Sequence, residues 1–409
     1  MWSEIQETKR ILFVHDRFGA FAGAESNILA SAQGLNERGY QTAILHGPAT
    51  GQSESAWHAA FPRRFPLPAK GAKRADVIKA IDTFAPDVIY VHNLDDLEAL
   101  SALLDSQVPI ARMVHDHNLY CLRSYKYNYF TRQICNRALS PYCLVPCGAF
   151  INRDHRGGFP LKWTSYSAKH RELDLNRRVD CLVVATTFMK DQLLRNRFAA
   201  EQIEIHPPVP RGHEAATQSN FSDRNLIIYS GQITRGKGVD ILLRALAQVT
   251  EPFECLIFGE GNYRTLCEAL CHELGLADRV HFQGYVPPSS IAQHYQECSV
   301  VAVSSVWPEP FGAVGLEGMR HGLPVVAFDA GGIKEWLLDG INGFLVPWMN
   351  HRLYAQRLDE LLRNKPLARQ LGERGRQMMA ETFSFSKYMD GLDNLFTRLT
   401  AQNAPLNYS

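Results

Sequence analysis

Short apolar runs recur along the chain, and each is followed by a stretch whose apolar positions return every three to four residues. That alternation reads as buried strand, then amphipathic helix. The first unit of it is strand Ile11 to Val14, a loop of small residues, and helix Ser26 to Arg38 stopping at Gly39. Strand Gln41 to Leu45, a basic segment Arg63 to Arg74, helix Ala75 to Thr83, strand Val88 to His92, helix Asp95 to Leu104 and strand Ile110 to Val114 continue the pattern. The regularity breaks between Asp116 and Gly158. It resumes with a helical region from Leu161 to Arg178, strand Cys181 to Ala185, helix Thr187 to Asn196 and strand Ile203 to His206.

After the proline-rich, polar run PPVPRGHEAATQSN a second alternating series begins at Leu226 to Tyr229. Its further strands are Cys255 to Phe258, Val280 to Gln283, Val300 to Val303, Pro324 to Phe328 and Gly343 to Val346. Its helices are Gly238 to Val249, Tyr263 to Leu274, Ile291 to Glu297, Gly315 to His321 and the short Ile333 to Leu338, with helices filling the remainder to Leu399. Strands that alternate with helices form a mainly parallel sheet covered on both faces. The prediction is an α/β chain of two facing, Rossmann-like doubly wound domains with the active cleft between them. The N-terminal domain is placed at 1–206 with an insertion at about 116–160, the linker at 207–222 and the C-terminal domain at 223–384. A helix at 385–409 is expected to cross back to the first domain.

A length of 409 residues agrees with two domains. With 43 basic and 42 acidic side chains there is no global field to attract nucleic acid, so dedicated nucleic-acid binding is disfavoured. The halves nonetheless differ in sign: residues 1 to 200 carry 25 basic and 19 acidic side chains, residues 201 to 409 carry 18 and 23. Much of the excess lies between Tyr120 and Arg178, including Arg123, Lys126, Arg132, Arg137, Arg153, Arg156 and Lys162. This is either a solvated basic face or a surface for an anionic partner. No run approaches 18 apolar residues and the N-terminus is polar, so neither a membrane span nor a signal peptide is expected, and the protein is expected in the cytoplasm.

Three glycine-bearing loops could admit a phosphate. Ser230 to Gly238 (SGQITRGKG) combines glycines for close backbone approach, the point charge of Lys237 and a following helix N-terminus. It lacks the spacing of a P-loop. Gly259 to Arg264 (GEGNYR) and Asp16 to Glu25 (DRFGAFAGAE) are weaker versions without the dinucleotide fingerprint, so a nicotinamide-dependent dehydrogenase is disfavoured. Beyond strand Val300 to Val303, Glu309 sits in a proline-bracketed loop and Glu317 on the helix that follows, separated by seven residues. A carboxylate so placed can accept two hydroxyl hydrogen bonds from a ribose.

The segment holding these carboxylates resembles the signature of glycosyltransferase family 4, retaining nucleotide-sugar transferases of the two-domain GT-B fold. Glu309 and Glu317 match its E-x7-E, Gly322-Leu323-Pro324-Val325 its G-x-P-V, and Gly331-Gly332 its glycine pair. Gly231 to Gly238 aligns with the family's G-R-L-x-x-x-K-G turn, with Gln232 replacing the arginine; whether Arg235 substitutes for it is open. In the first half the likeness runs through Ala22 to Glu25, Pro86 to Asn93 and Val114-His115-Asp116.

The resemblance implies a role for each matched position. Glu317 would bind the donor ribose, Lys237 the diphosphate and Glu309 the transferred sugar, which His115 would reach from the opposite domain. Gly23, Gly231, Arg235, Gly259, Phe311, Gly312 and Ala313 complete the implied donor site. It further implies a retaining, metal-independent transferase using a UDP- or GDP-sugar. The acceptor is expected to be an anionic glycan or lipid-linked intermediate in surface polysaccharide synthesis, reached by peripheral association with an anionic membrane. Two other readings stay open: a non-catalytic nucleotide-sugar-binding partner, encouraged by Gln232, and a hydrolase or epimerase on the same fold. His92 is a weaker candidate beside His115. Cys121, Cys135, Cys143 and Cys147 could close a structural zinc site, although their spacing is not the paired CxxC type and thiols or a disulfide are the alternatives.

Overall fold

A computed structural model describes residues 9–20, 23–68, 73–153, 161–211 and 217–402. Ala22 of the first glycine loop, Arg156 of the basic insertion and the middle of the linker lie outside these. The chain divides into two compact units, one comprising 1–124, 137–211 and 385–409, the other 125–136 and 212–384.

The first unit is built on β1 (Arg10–His15), α1 (Gly23–Glu37), β2 (Gln41–His46), α2 (Glu54–Ala60), β3 (Arg63–Pro66), α3 (Arg74–Phe84), β4 (Val88–Val91), α4 (Leu97–Leu104) and β5 (Ile110–Met113). A small hairpin follows, β6 (Ile151–Arg153) and β7 (Leu161–Trp163). Then come α5 (Tyr166–Asn176), β8 (Cys181–Val184), α6 (Thr187–Arg195) and β9 (Ile203–Ile205). Seven strands pair in parallel in the order β3-β2-β1-β4-β5-β8-β9. β4, β5 and β8 are buried along their whole length, as their near-continuous apolar sequences require of a sheet covered on both faces. Side-chain caps set the helix starts. Asp96 accepts from the Ala99 amide, Thr186 from Met189 and Ser165 from Ala168.

The second unit contains β10 (Leu226–Ser230), α7 (Val239–Leu246), β11 (Glu254–Phe258), α8 (Arg264–Glu273), β12 (Val280–Gly284), α9 (Pro288–Tyr295) and β13 (Val300–Val303). It continues through α10 (Ala313–Arg320), β14 (Val325–Phe328), β15 (Gly343–Val346), α11 (His351–Arg363) and α12 (Lys365–Glu381). Its six parallel strands run β12-β11-β10-β13-β14-β15. In both sheets the order reverses beside the first strand, between β1 and β4 and between β10 and β13. Such a switch point splays the loops at the strands' carboxyl ends and opens a crevice there.

The last helix, α13 (Phe385–Gln402), belongs to the first unit. Asn27 Nδ2 donates to Tyr388 Oη at 3.0 Å, Met389 packs on Gly34, and Phe396 meets Tyr90 edge-on at 5.2 Å.

Three expectations are corrected. The basic segment at 63–74 contains edge strand β3, and the helical reading of 161–178 is split. Ser165 caps the helix that follows, so Leu161–Trp163 is left to pair antiparallel with Ile151–Arg153. The third correction concerns the insertion. Residues 125–136 form a hairpin that belongs to the second unit rather than to the N-terminal domain.

Candidate functional site

In the second unit the loops after β10 and β13 are bonded to each other across the switch point. The Gly236 carbonyl accepts from the amides of Val306 and Trp307 at 2.8 and 3.0 Å, and Ser304 Oγ donates to the Lys237 carbonyl at 2.9 Å. Gly238, at φ 67°, turns the chain into α7 where a Cβ would collide with the Ser304 carbonyl. Only glycine meets both demands there.

This stitching delivers Lys237 to Glu309. The Glu309 carboxylate, 5% exposed, accepts from Lys237 Nζ at 2.7 Å, Trp307 Nε1 at 2.9 Å and the Ser305 hydroxyl. Burial pushes this carboxyl up, but Lys237, Ser305 and Trp307 together outweigh it and hold it below the usual glutamate range. The Glu309 backbone is fixed as well: its amide donates to the Ala330 carbonyl and its carbonyl accepts from Gly332. Gly331, at φ 72°, lies where a Cβ would crowd that backbone, so the glycine pair supports the Glu309 loop by close approach. The result is a cation and an anion locked side by side at the mouth of a switch point.

Gly312, at φ 80°, ends the loop and Ala313 begins α10. Phe311 is 4% exposed; its ring meets Phe383 and its carbonyl accepts from Trp336 Nε1 at 2.6 Å, so its side chain serves the core. Glu317, one turn into α10, is partly buried, with Tyr295 Oη 3.5 Å away. Burial raises its carboxyl, opposed by Arg320 and Tyr295. Gly259 approaches Gly231 so closely that a Cβ on it would collide with the Gly231 carbonyl; the Gly259 amide donates to the Gly284 carbonyl and the Gly231 amide to the Phe258 carbonyl.

Arg235, the basic side chain after Gln232, is held by the 125–136 hairpin. Its guanidinium lies over the Tyr129 ring and donates to the Tyr129 and Phe130 carbonyls at 3.1 and 3.3 Å. Gln232 itself is exposed, and its carbonyl accepts from Tyr229 Oη.

In the first unit the corresponding loops gather three histidines. Nε2 of His15 is 3.2 Å from the buried Glu25 carboxylate, and Nδ1 of His92 is 2.8 Å from Nε2 of His115. One ring nitrogen of His115 is thereby committed to His92, leaving Nδ1 as its other polar atom. Burial, reinforced by His15, pushes His115 down to about 3, so the ring is neutral at physiological pH. A small pocket beside it is lined by His92, Arg112, His115, Asp116 and Asn118. Burial and the neighbouring Asp95 carboxylate lift Asp16 to about 6. Gly23 starts α1 with open space where a side chain would stand.

The structural zinc expected at the four cysteines finds no support in the described residues. Cys135 lies in the 125–136 hairpin, its amide bonded to the Lys126 carbonyl, whereas Cys121, Cys143 and Cys147 belong to the first unit. Among the described residues no group of three His, Cys, Asp or Glu side chains is placed to hold a metal ion. None of the four is in a disulfide.

Sequence reasoning missed Ser305 and Trp307, which hold Glu309, and Arg112, whose buried guanidinium donates to Asn176 Oδ1 at 2.6 Å. A signal existed for Arg112, because a charge inside an apolar strand must be paired. No such pattern marks Ser305 or Trp307.

Comparison with known proteins adds to this geometry. Residues 21–209 match the family profile described as Glycosyltransferase Family 4, and residues 213–378 match Glycosyl transferases group 1. A D-inositol 3-phosphate glycosyltransferase of Xylanimonas cellulosilytica is 32% identical over 204 residues, covering 45% of this chain and 48% of that protein. An uncharacterized glycosyltransferase of Methanocaldococcus jannaschii is 35% identical over 142 residues, 34% of this chain and 36% of the relative. The matched stretch thus spans half or less of these curated relatives. Among solved structures, Anabaena HepE in complex with UDP superposes with a TM-score of 0.73 at 18% identity, covering 95% of this chain and 100% of that one. Sucrose-phosphate synthase from Thermosynechococcus elongatus gives 0.71 at 18% identity, covering 97% and 100%. With one profile on each doubly wound sheet and whole-chain likeness to such structures, the chain belongs to the glycosyltransferases of the GT-B fold.

Proposed function

We propose that the protein transfers a sugar from a nucleoside-diphosphate sugar, UDP- or GDP-linked, to a glycan or lipid-linked acceptor, with retention at the anomeric carbon. The observation that carries this reading is the Lys237–Glu309 pair, buried on the Glu309 side and held by the two loops that flank the β10/β13 switch point. Departure of a nucleoside diphosphate builds negative charge on the leaving phosphate and positive charge on the sugar ring. An ammonium and a carboxylate fixed beforehand can stabilise both without reorganising.

In this reading Lys237, held beside Glu309, also meets the diphosphate, aided by backbone amides of the Gly231 and Gly259 turns. Glu317 accepts the ribose hydroxyls, for which burial has already stripped the carboxyl of water. Glu309, with Gly312 and Ala313, orients the transferred sugar. His115, neutral at physiological pH, exchanges a hydrogen bond with a sugar hydroxyl through Nδ1 rather than carrying charge. Likeness to HepE favours uridine as the first base to test: HepE was solved with UDP, with UDP and glucose, and with UDP-glucose. The acceptor side rests on the basic insertion, which suits an anionic, lipid-linked acceptor and peripheral attachment at the inner face of a membrane. No helix among the described residues is long and apolar enough to cross one.

The test is a thermal-shift screen against UDP, GDP, ADP, CMP and dTDP, since a ligand that binds only the native state raises its stability. A selective shift by one nucleoside diphosphate, abolished in Glu317→Ala, is expected. No shift at millimolar ligand would reject the donor site. Binding without turnover of any UDP- or GDP-sugar would return the non-catalytic reading that Gln232 encourages.

A further inference from the structure

Residues 125–136 are encoded between β5 and β8 of the first sheet, yet they fold as part of the second unit. They form a hairpin with its own ladder. Tyr127 bridges Ile134, the Asn128 amide donates to the Gln133 carbonyl, and Asn128 Oδ1 caps the turn by accepting from the amides of Phe130 and Thr131. Lys126 and Arg132 both take positive φ to close it.

The hairpin seizes the turn between β10 and α7 at three points. The Arg132 guanidinium makes a two-pronged ion pair with Asp240, at 3.1 and 2.7 Å, with side chains only 6% and 15% exposed. The carbonyls of Tyr129 and Phe130 take two donors of Arg235. Tyr127 Oη stands 3.3 Å from where a Cβ on Gly236 would be, so the tyrosine packs directly on the turn. Each contact falls within three residues of Lys237.

We propose that this hairpin is a working part of the donor site and that Arg132 is a positioning residue for the diphosphate-binding turn; the inference rests on the donor-site reading above. Asp240 lies in the first turn of α7, where the helix would otherwise favour an anion. Left unpaired, its carboxylate would repel a diphosphate brought to Lys237. Arg132 cancels that charge, and its planar fork fixes the start of α7 in one orientation. The Gly236 carbonyl then stays on the amides of Val306 and Trp307, and Lys237 stays aimed at Glu309. A loop carrying Gln232 instead of the family's arginine thus has its electrostatics corrected by a cation encoded about 100 residues earlier.

The experiment is calorimetric titration of the full-length protein with UDP and with uridine, or with GDP and guanosine should the wild type select guanine. The hairpin acts on the phosphates, so Arg132→Ala should weaken UDP about tenfold, about 1.4 kcal/mol, and leave uridine unchanged. Arg132→Lys should restore most of the loss. Asp240→Asn added to Arg132→Ala should do the same by removing the exposed carboxylate. Equal losses for UDP and uridine, or a lowered melting temperature with unchanged affinity for both, would reduce Arg132 to a structural anchor and overturn the proposal. If Arg132→Ala does not fold, Arg132→Gln supplies the same comparison, with loss of UDP but not uridine affinity expected. A wild type that binds no nucleoside diphosphate defeats the donor-site reading itself, an outcome distinct from a wild type that binds and a variant that binds equally well.

Discussion

Lys237→Met removes the ammonium while keeping most of the apolar stem. Glu309 would then sit at 5% exposure with two of its three hydrogen-bond donors, Ser305 and Trp307. Removing one partner of a fully buried ion pair costs about 3–5 kcal/mol, most of it from the charge left behind. The Lys237 side chain is 25% exposed and two donors remain, so the expected cost is smaller, about 1–2 kcal/mol. For a domain of this size that is a fall of about 2–8 °C in melting temperature.

The pH dependence sharpens the test. Glu309 in the wild type is held below its ordinary value, so the stability it contributes is present above the ordinary glutamate range and is lost as pH falls through the depressed value. Lys237→Met weakens that depression, so the variant's deficit should be largest near neutrality and shrink toward pH 4. Glu309→Gln added to Lys237→Met should recover much of the loss, because a neutral amide needs no cation. Thermal unfolding of the three proteins at pH 7 and pH 4, followed by tryptophan fluorescence, makes the comparison. A deficit of equal size at both pH values, or no recovery in the double variant, would refute the account of a buried carboxylate held by Lys237.

Glu317→Ala should chiefly weaken nucleoside-diphosphate binding, about tenfold or more, and Glu309→Gln should chiefly lower turnover; equal, small effects on both parameters in steady-state assays would refute the division of roles. Asp16 is raised to about 6, so its charged form costs the folded state increasingly as pH climbs from about 4 through 6. Asp16→Asn should therefore raise the melting temperature at pH 7.5 and leave it nearly unchanged at pH 4, and a gain of the same size at pH 4 would show that charge is not the cause. Replacing the exposed Trp163 by alanine should reduce sedimentation with phosphatidylglycerol vesicles if the insertion carries the membrane contact, and unchanged sedimentation would place that contact elsewhere.

Most of the fold was legible because a covered parallel sheet writes itself as apolar strands separated by helices of 3.6-residue period. Strands such as Val88–Val91 and Val300–Val303 are buried at every position, and no polar alternation obscures them. The short edge strand Arg63–Pro66 escaped notice for the opposite reason. Two of its four residues are exposed arginines, so it lacks the pattern of a central strand. Glu309, Glu317 and Lys237 could be picked out from spacing and flanking glycines, since a loop that must approach a backbone closely has few residue types to choose from.

Long-range pairing was not legible. Nothing in the local sequence of Tyr125–Asn136 states which sheet it serves, because Arg132 could pair with any carboxylate and Tyr127 could pack on any small residue. Arg235 likewise reads as a phosphate cation beside Lys237, and only the fold shows its bonds to the hairpin carbonyls of Tyr129 and Phe130. The cysteines behave the same way: a count of four in one insertion suggests a metal, but Cys135 is carried into the second unit by the Arg132 hairpin. By itself the sequence determined the two alternating α/β series and the residue types at their loop ends, because periodicity and backbone sterics act over a few residues. Which strand neighbours which, and so which loops share a crevice and which charge neutralises which, was decided only by the tertiary structure, which brings residues about 100 positions apart, such as Arg132 and Asp240, into contact.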